Sequence, residues 1–198
     1  MCIRDRVGGA LAVAALGTQE VLLNATGARG ADRGGTGSIE IASFQPAEMP
    51  RVSWFNDQGP TAVTPSRWAL RIDGESVNVV DDLAPIVRPV QARLDCTGGW
   101  FSTQNWDAVP LSELLSPPTT ARSVKVTSST GYSRLFPIED LDRLFLATGY
   151  GGEPLRAGHG APVRLVAPNR RGPHWVKWVR DVELSERPAW LQSPLPLA

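Results

Sequence analysis

Alternating apolar and polar residues predict β-strands in several separate stretches of the chain. The predicted strands cover residues 68–72, 92–96, 123–128, 162–167 and 175–184. The first of them runs into Asp73-Gly74, a pair that is typical of tight turns. Because successive side chains of a strand point to opposite faces, each stretch can bury one face in a shared core.

Short helices are predicted between some of these strands. Residues 111–115 follow Pro110 and stop before a Pro-Pro pair, which favours a single helical turn or two. Residues 138–148 carry apolar side chains at 138, 141, 144 and 145, the spacing of one helix face. The chain is therefore predicted to form an α+β domain, with a strand-rich mixed sheet and a few short helices.

Composition supports a single folded domain with many turns. The 198 residues are 42% hydrophobic and include 19 glycines and 17 prolines, which favours strands joined by turns over a helical bundle. Basic and acidic residues balance at 20 each, so the charge gives no reason to expect a nucleic-acid partner or an anionic membrane surface.

The N-terminal segment, residues 1–38, is predicted to lie outside the domain, which would cover 39–198. Residues 1–6 resemble a cloning or assembly scar, and residues 25–38 have the composition of a linker. Residues 7–17 are apolar but too short to cross a bilayer. They fit a signal-peptide core, the remnant of a membrane helix or a short helix packed on the domain. The first two interpretations place the domain outside the cytoplasm, either membrane-associated or secreted.

Cys96 is the cysteine that falls inside the predicted domain. A single cysteine on an apolar strand is usually an inert core residue. Here Thr97-Gly98-Gly99 follows it directly and removes side-chain bulk, and Trp100 then adds a large flat wall. This arrangement favours a thiol that faces a bulky ligand.

Two cations interrupt strands that are otherwise apolar. Arg164 and Lys177 each sit among apolar neighbours, where a charge is unfavourable unless it is paired. His159 lies in a turn that leads into the first of these strands, and the three side chains together indicate an external anion such as phosphate. Arg171, in the intervening turn, either joins this anion site or is solvated.

Several other chemistries are not supported by the sequence. There is no Gly-x-Ser-x-Gly elbow, Walker loop or Gly-x-Gly-x-x-Gly fingerprint. With two histidines and two cysteines, Cys2 among them, a four-ligand zinc site is poorly supplied.

Residues 68–184 resemble the molybdopterin-dependent oxidoreductases of the sulfite oxidase type, and most closely their membrane-associated actinobacterial branch. The segments that carry the resemblance are Leu94-Asp-Cys-Thr-Gly-Gly-Trp100, His159-Gly-Ala-Pro-Val-Arg-Leu-Val-Ala-Pro168 and Trp175-Val-Lys-Trp178. The resemblance implies the sulfite oxidase molybdopterin-binding fold. It also implies a molybdenum ligand at Cys96 and a pterin phosphate held by His159, Arg164 and Lys177.

Further roles are expected around this site. We expect Trp100 and Arg171 to contact the cofactor. The sulfoxide reductases of the family have an asparagine near the metal, for which Asn56 is the counterpart here.

The resemblance implies a molybdenum-dependent oxidoreductase that transfers an oxygen atom or two electrons on a small oxo-anion or an S- or N-oxide. The chain is short for the haem and dimerisation domains of sulfite oxidases. We therefore expect electrons to pass to a separate, membrane-bound haem or quinone partner. The alternative is a non-enzymatic, extracytoplasmic β-rich binding module, or a degenerate family member without metal.

Overall fold

The structure is a computed structural model that describes residues 35–52, 59–60 and 63–193. Several predictions lie outside these residues, namely the scar at 1–6, the apolar segment at 7–17, most of the linker at 25–38, and Asn56. None of the helices in the described residues is long and apolar enough to span a membrane.

The described residues form strands joined by turns and short helices. The strands are β1 (Ile39–Glu40), β2 (Leu70–Ile72), β3 (Glu75–Val77), β4 (Arg88–Cys96), β5 (Trp100–Pro110), β6 (Ser123–Ser128), β7 (Ser133–Pro137), β8 (Phe145–Tyr150), β9 (Glu153–Pro154), β10 (Arg164–Val166) and β11 (Val179–Ser185). The 3₁₀ helices are Pro65–Arg67, Ala84–Ile86, Leu111–Glu113, Ile138–Arg143, Ala157–His159, Gly172–His174 and Ala189–Leu191, and Val79–Leu83 forms one π-helical turn.

These strands form a six-stranded and a five-stranded sheet. In the first sheet, β4 and β5 form a long antiparallel hairpin whose last pair is Cys96 and Trp100. Strand β8 pairs antiparallel with β5 and β10, while β1 pairs in parallel with β5. The second sheet has the order β3-β2-β11-β6-β7, in which β2 and β11 are parallel.

One hydrophobic cluster connects the two sheets. It includes Val109 and Leu146 from the first sheet and Val126 and Val182 from the second, all fully buried. Burial of this apolar surface is the main favourable contribution to folding. The hairpin contributes Leu94, Cys96, Trp100 and Trp106 to this cluster, so its Cys96 end is supported by a packed core.

The predicted fold class is confirmed, since two mixed sheets are connected by turns and short helices. The predicted strand at 123–128 matches β6, and the strand predicted at 92–96 extends back to Arg88. Strand β11 begins later than predicted, at Val179, because Trp178 has a φ of +52°, which interrupts the extended backbone.

The helix predicted at 138–148 is wrong over its second half. The 3₁₀ helix ends at Arg143, and the chain from Phe145 continues as β8. Backbone pairing of β8 with both β5 and β10 overrides the helical spacing of the apolar residues.

Strand β5 was not predicted, although it is the longest strand in the described chain. Its side chains at 100, 102, 104, 106 and 108 alternate into the core, but two of them, Ser102 and Gln104, are polar. The Gln104 Nε2 donates there to the Ala42 carbonyl and the Ser102 hydroxyl, while its Oε1 has no hydrogen-bond partner among the described residues. Buried polar residues hide the alternation that identifies a strand in sequence.

Leu146→Ala is expected to lower the free energy of unfolding by about 2–5 kcal/mol, because it leaves a cavity in a packed core. Leu146 is fully buried and faces Val109 and Leu165 on the two neighbouring strands. Urea unfolding measures the change. Leu191→Ala is the matched control, since Leu191 is 46% exposed, and an equal loss in both variants would contradict this account of the core.

Candidate functional site

Five of the predicted site residues converge on one pocket with about 350 Å³ of space, part of which is open to solvent. It lies where the end of the β4–β5 hairpin meets β10 and the segment before β11. The described residues that line it are Pro50, Val52, Leu94, Cys96, Trp100, His159, Arg164, Gly172, Trp175 and Lys177. This pocket therefore brings together side chains that lie far apart along the chain, namely Cys96, Trp100, His159, Arg164 and Lys177.

Cys96 is a free thiol at the end of β4 and is 8% exposed. The Gly98 amide donates to its Sγ across 3.4 Å. A side-chain Cβ at Gly98 would lie 3.6 Å from this sulfur and 3.4 Å from Trp100 Nε1, and Gly99 has a φ of +83°. The two glycines thus allow the tight turn and keep the space beside the sulfur open, as the sequence predicted.

The segment before β11 packs against the backbone of Cys96 at Gly172. A Cβ at Gly172 would lie 3.4 Å from the Cys96 Cα. Arg171 donates from Nη2 to the Cys96 carbonyl at 3.1 Å and lies 3.5 Å from the Asp95 carboxylate. Arg171 is absent from the described residues that line the pocket, so its contact with a cofactor stays a prediction, and its observed contacts hold the Cys96 backbone.

The Asp95 carboxylate links Arg171 to Thr36 and Ser38, next to the backbone of Cys96. Burial would raise the pKa of this carboxylate, but hydrogen bonds from Thr36 and Ser38, at 2.6 and 2.7 Å, together with Arg171 outweigh burial and lower the pKa below its usual range. The end of the segment predicted as a linker therefore contacts the strand that carries Cys96. Arg170 has a different partner, Asp140, at 2.6 Å.

Arg164 is a buried cation that lies between two aromatic rings. It is 1% exposed, and its guanidinium lies 4.9 Å from the Trp106 ring centre and 5.5 Å from that of Trp175. Its Nη1 donates to the His159 carbonyl at 2.9 Å, while Nε has no hydrogen-bond partner among the described residues. Burial lowers its pKa to about 10, so it remains charged at neutral pH.

No described carboxylate forms an ion pair with Arg164. A buried charge without a counter-ion is unfavourable, and cation–π contacts compensate for part of that cost. The remaining positive potential favours an anion in the pocket.

His159 presents one ring nitrogen to a protein partner and leaves the other unpaired. Its Nδ1 lies 2.8 Å from the Tyr150 hydroxyl, whereas Nε2 is buried with no hydrogen-bond partner in the described chain. Burial, together with the charge of Arg164, lowers the pKa of His159 to about 4. The imidazole is therefore neutral at pH 7.

Lys177 and Trp100 add donors on other sides of the pocket. Lys177 Nζ donates to the Val52 carbonyl at 2.8 Å and lies 5.3 Å from the Trp178 ring centre. Trp100 Nε1 is buried without a hydrogen-bond partner in the described residues. The described lining thus offers nitrogen donors and a thiol but no carboxylate, which suits an anionic ligand that carries a thiolate-binding metal.

Three residues of this site were missed by the sequence reasoning: Tyr150, Trp106 and Gly172. Tyr150 and Trp106 look like ordinary core aromatics in sequence, and no local pattern connects them to a site. Gly172 sits between arginines and a proline, where its close approach to Cys96 becomes visible only after folding.

Comparison with known proteins defines the class. Residues 58–192 match the family model described as the oxidoreductase molybdopterin binding domain, and the chain belongs to this family. The family and the molybdopterin cofactor predicted from the sequence are therefore confirmed.

Individual relatives agree with this assignment. The catalytic subunit MsrP of the protein-methionine-sulfoxide reductase of Xanthomonas campestris is 27% identical over 148 residues, which are 62% of this chain and 46% of that protein. The NADPH nitrate reductase of Neurospora crassa is 30% identical over 112 residues, 46% of this chain and 11% of that protein. The chain thus spans less than half the length of these curated relatives.

A solved structure supports the fold. The sulfane dehydrogenase SoxCD of Paracoccus pantotrophus matches with a TM-score of 0.58 and 24% identity, over 64% of this chain and 40% of that chain. The sulfite oxidase-type fold predicted from the resemblance is confirmed by this match.

Stability of the metal-free protein is expected to fall as the pH drops from about 6.5 to about 4. Burial lowers the pKa values of His159 and His174 to about 4, so the unfolded chain binds more protons than the folded protein in this range. Urea unfolding between pH 7 and pH 4.5 measures the slope. The double variant His159→Gln/His174→Gln should flatten it, and an unchanged slope would show that other groups cause the dependence.

Proposed function

We propose that the protein is a molybdenum-cofactor-dependent oxidoreductase that acts on a small S-oxide, N-oxide or oxo-anion. The single observation that carries this proposal is the shared pocket, in which the free thiol of Cys96 and the uncompensated charge of Arg164 face one space. A ligand that needs a sulfur donor at one end and cations at the other fits this arrangement.

The residues present fit a molybdopterin. Cys96 would give its thiolate to molybdenum, since a high-valent metal deprotonates a coordinating thiol. Arg164, Lys177 and the neutral imidazole of His159 would hold the phosphate, and the buried unpartnered nitrogens of Arg164 and His159 are donors that such an oxyanion satisfies. When bound, the cofactor supplies the oxygen-atom or two-electron transfer itself.

The protein's part is binding, orientation and exclusion of water. Trp100 and Trp175 form buried aromatic walls of the pocket. Trp100 Nε1 is a donor near the sulfur of Cys96, where it would orient an oxygen of the ligand or substrate. Asn56 is proposed to lie near the metal, on the basis of its sequence position alone.

An S-oxide is the favoured substrate. Two curated relatives from Xanthomonas, which match over 62% of this chain, are named protein-methionine-sulfoxide reductase catalytic subunits. Nitrate, an oxo-anion, is the second candidate, since other relatives are named nitrate reductases. It ranks below an S-oxide because those relatives match over shorter stretches of this chain.

We also propose that a separate haem or quinone protein in the membrane exchanges electrons with this domain, outside the cytoplasm. The word "subunit" in the names of the sulfoxide reductase relatives is consistent with a separate partner.

Cys96→Ser is expected to lower bound molybdenum strongly in protein produced with molybdate available, because it removes the thiolate, and a serine hydroxyl gives up its proton far less readily than a thiol. Metal analysis and pterin fluorescence measure the two components. Cys2→Ser is the matched control and should retain both. Metal in the Cys96→Ser protein at the level of the control would overturn the assignment of the ligand.

Lys177→Ala is expected to lower cofactor retention after dialysis by at least about tenfold, the worth of one charge-assisted hydrogen bond. Lys125→Ala is the control, since Lys125 is a surface residue that lies 3.6 Å from Glu183 on the neighbouring strand. Equal retention in the two variants would remove Lys177 from the phosphate site.

The purified holoprotein, supplied with a reduced viologen, is expected to reduce methionine sulfoxide faster than nitrate. Spectrophotometric oxidation of the viologen measures both rates, and ferricyanide reduction tests sulfite oxidation in the opposite direction. Faster nitrate turnover would favour the oxo-anion substrate. Wild-type protein without metal or pterin that binds a glycan would instead support the binding-module alternative.

A further inference from the structure

A neutral His159 imidazole can bind an anion only by donating a hydrogen bond from the ring nitrogen that carries its proton. A neutral imidazole carries a single N–H, on Nδ1 or on Nε2. Nδ1 is engaged with the Tyr150 hydroxyl at 2.8 Å, and Nε2 is the nitrogen left without a partner in the described chain. A phosphate oxygen accepts hydrogen bonds, so Nε2 must carry the proton if His159 is to bind it.

The surroundings of Tyr150 decide which way its hydrogen bond runs. Tyr150 is 1% exposed, and burial raises the pKa of its phenol, so the hydroxyl keeps its proton at neutral pH. The phenolic proton is then directed to Nδ1 of His159, the side-chain partner that the described residues give it.

The contact itself favours the same tautomer. Burial lowers the pKa of His159 to about 4, so the ring is neutral at pH 7. If Nδ1 carried the single proton, it would donate to the Tyr150 oxygen, and the buried phenolic proton would have no acceptor among the described residues. A proton on Nε2 lets the Tyr150 hydroxyl donate to Nδ1.

The backbone holds the two side chains in place for this contact. Tyr150 is the last residue of β8, its ring lies edge-on to the imidazole with centres 5.6 Å apart, and it stacks on Trp106 at 5.6 Å. Arg164 in turn donates to the His159 carbonyl at 2.9 Å. Both partners of the hydrogen bond are therefore fixed by groups of the same buried cluster.

We propose that Tyr150 is a positioning residue of this pocket, whose hydroxyl donates to Nδ1 of His159 and thereby fixes the proton on Nε2 as a donor for the cofactor's phosphate. The identity of the anion rests on the proposed function, whereas the tautomer of His159 does not.

Nuclear magnetic resonance of ¹⁵N-histidine-labelled, metal-free protein tests the tautomer directly. The chain has two histidines, so a His174→Gln sample assigns the ring signals of His159. The wild type should show a protonated Nε2 and an unprotonated Nδ1. Tyr150→Phe should move the two nitrogen shifts toward each other, because the Nδ1–H form becomes populated. A wild-type spectrum with the proton on Nδ1, or unchanged shifts in Tyr150→Phe, would overturn the proposal.

Tyr132→Phe provides the matched control. Tyr132 is the other tyrosine of the chain, and its hydroxyl donates to the Pro173 carbonyl at 2.6 Å. Its removal should leave the ring nitrogens of His159 unchanged. If the Tyr150 variant does not fold, the wild-type spectrum alone still decides the position of the proton.

Cofactor retention provides a second readout through a double-mutant cycle. Tyr150→Phe should lower pterin retention after dialysis by about fivefold, the typical worth of one hydrogen bond. In His159→Gln the side-chain amide supplies an N–H that does not depend on Tyr150, so adding Tyr150→Phe to this variant should cause no further loss. An equal fivefold loss in both backgrounds would mean that Tyr150 acts by packing, and would overturn the proposal. If the wild-type protein contains no pterin, the proposed function is refuted instead. The tautomer measurement on metal-free protein would still test the role of Tyr150.

Discussion

The positive charge of Arg164 is the constraint on which the site depends. A guanidinium that is almost fully buried, without an ion pair to any described carboxylate, must be stabilised by weaker contacts. The rings of Trp106 and Trp175 and the His159 carbonyl provide them. Since none of these groups neutralises the charge, the pocket keeps a positive potential that an anionic ligand can use.

The thiol end of the pocket is fixed by a separate set of contacts. The β4–β5 hairpin ends at Cys96, and Arg171 links the cysteine's carbonyl to the Asp95 carboxylate. Thr36 and Ser38 complete this support from the segment before β1. A ligand atom bound to the sulfur would therefore meet a backbone that is already held in place, which reduces the entropy lost on binding.

Family membership and local geometry explain different parts of the function. The match over residues 58–192 identifies the cofactor class. The pocket explains why this chain can hold such a cofactor, since its described lining contains a thiol and unpartnered nitrogens. The match covers less than half of the sulfoxide reductase subunit's length, so the substrate does not follow from membership of the family alone.

Sequence by itself determined the strand-rich class, because strand alternation and glycine turns are local features. It indicated the family through the resemblance of the segments 94–100, 159–168 and 175–178. It also identified Cys96, His159, Arg164 and Lys177, since each of these residues is unexpected in its immediate surroundings. The tertiary structure alone decided that the second half of the helix predicted at 138–148 is β8 and that Ser102 and Gln104 lie buried in β5. It also revealed Tyr150 beside His159. These features arise from strand pairing and side-chain contacts between distant segments, which no local pattern records.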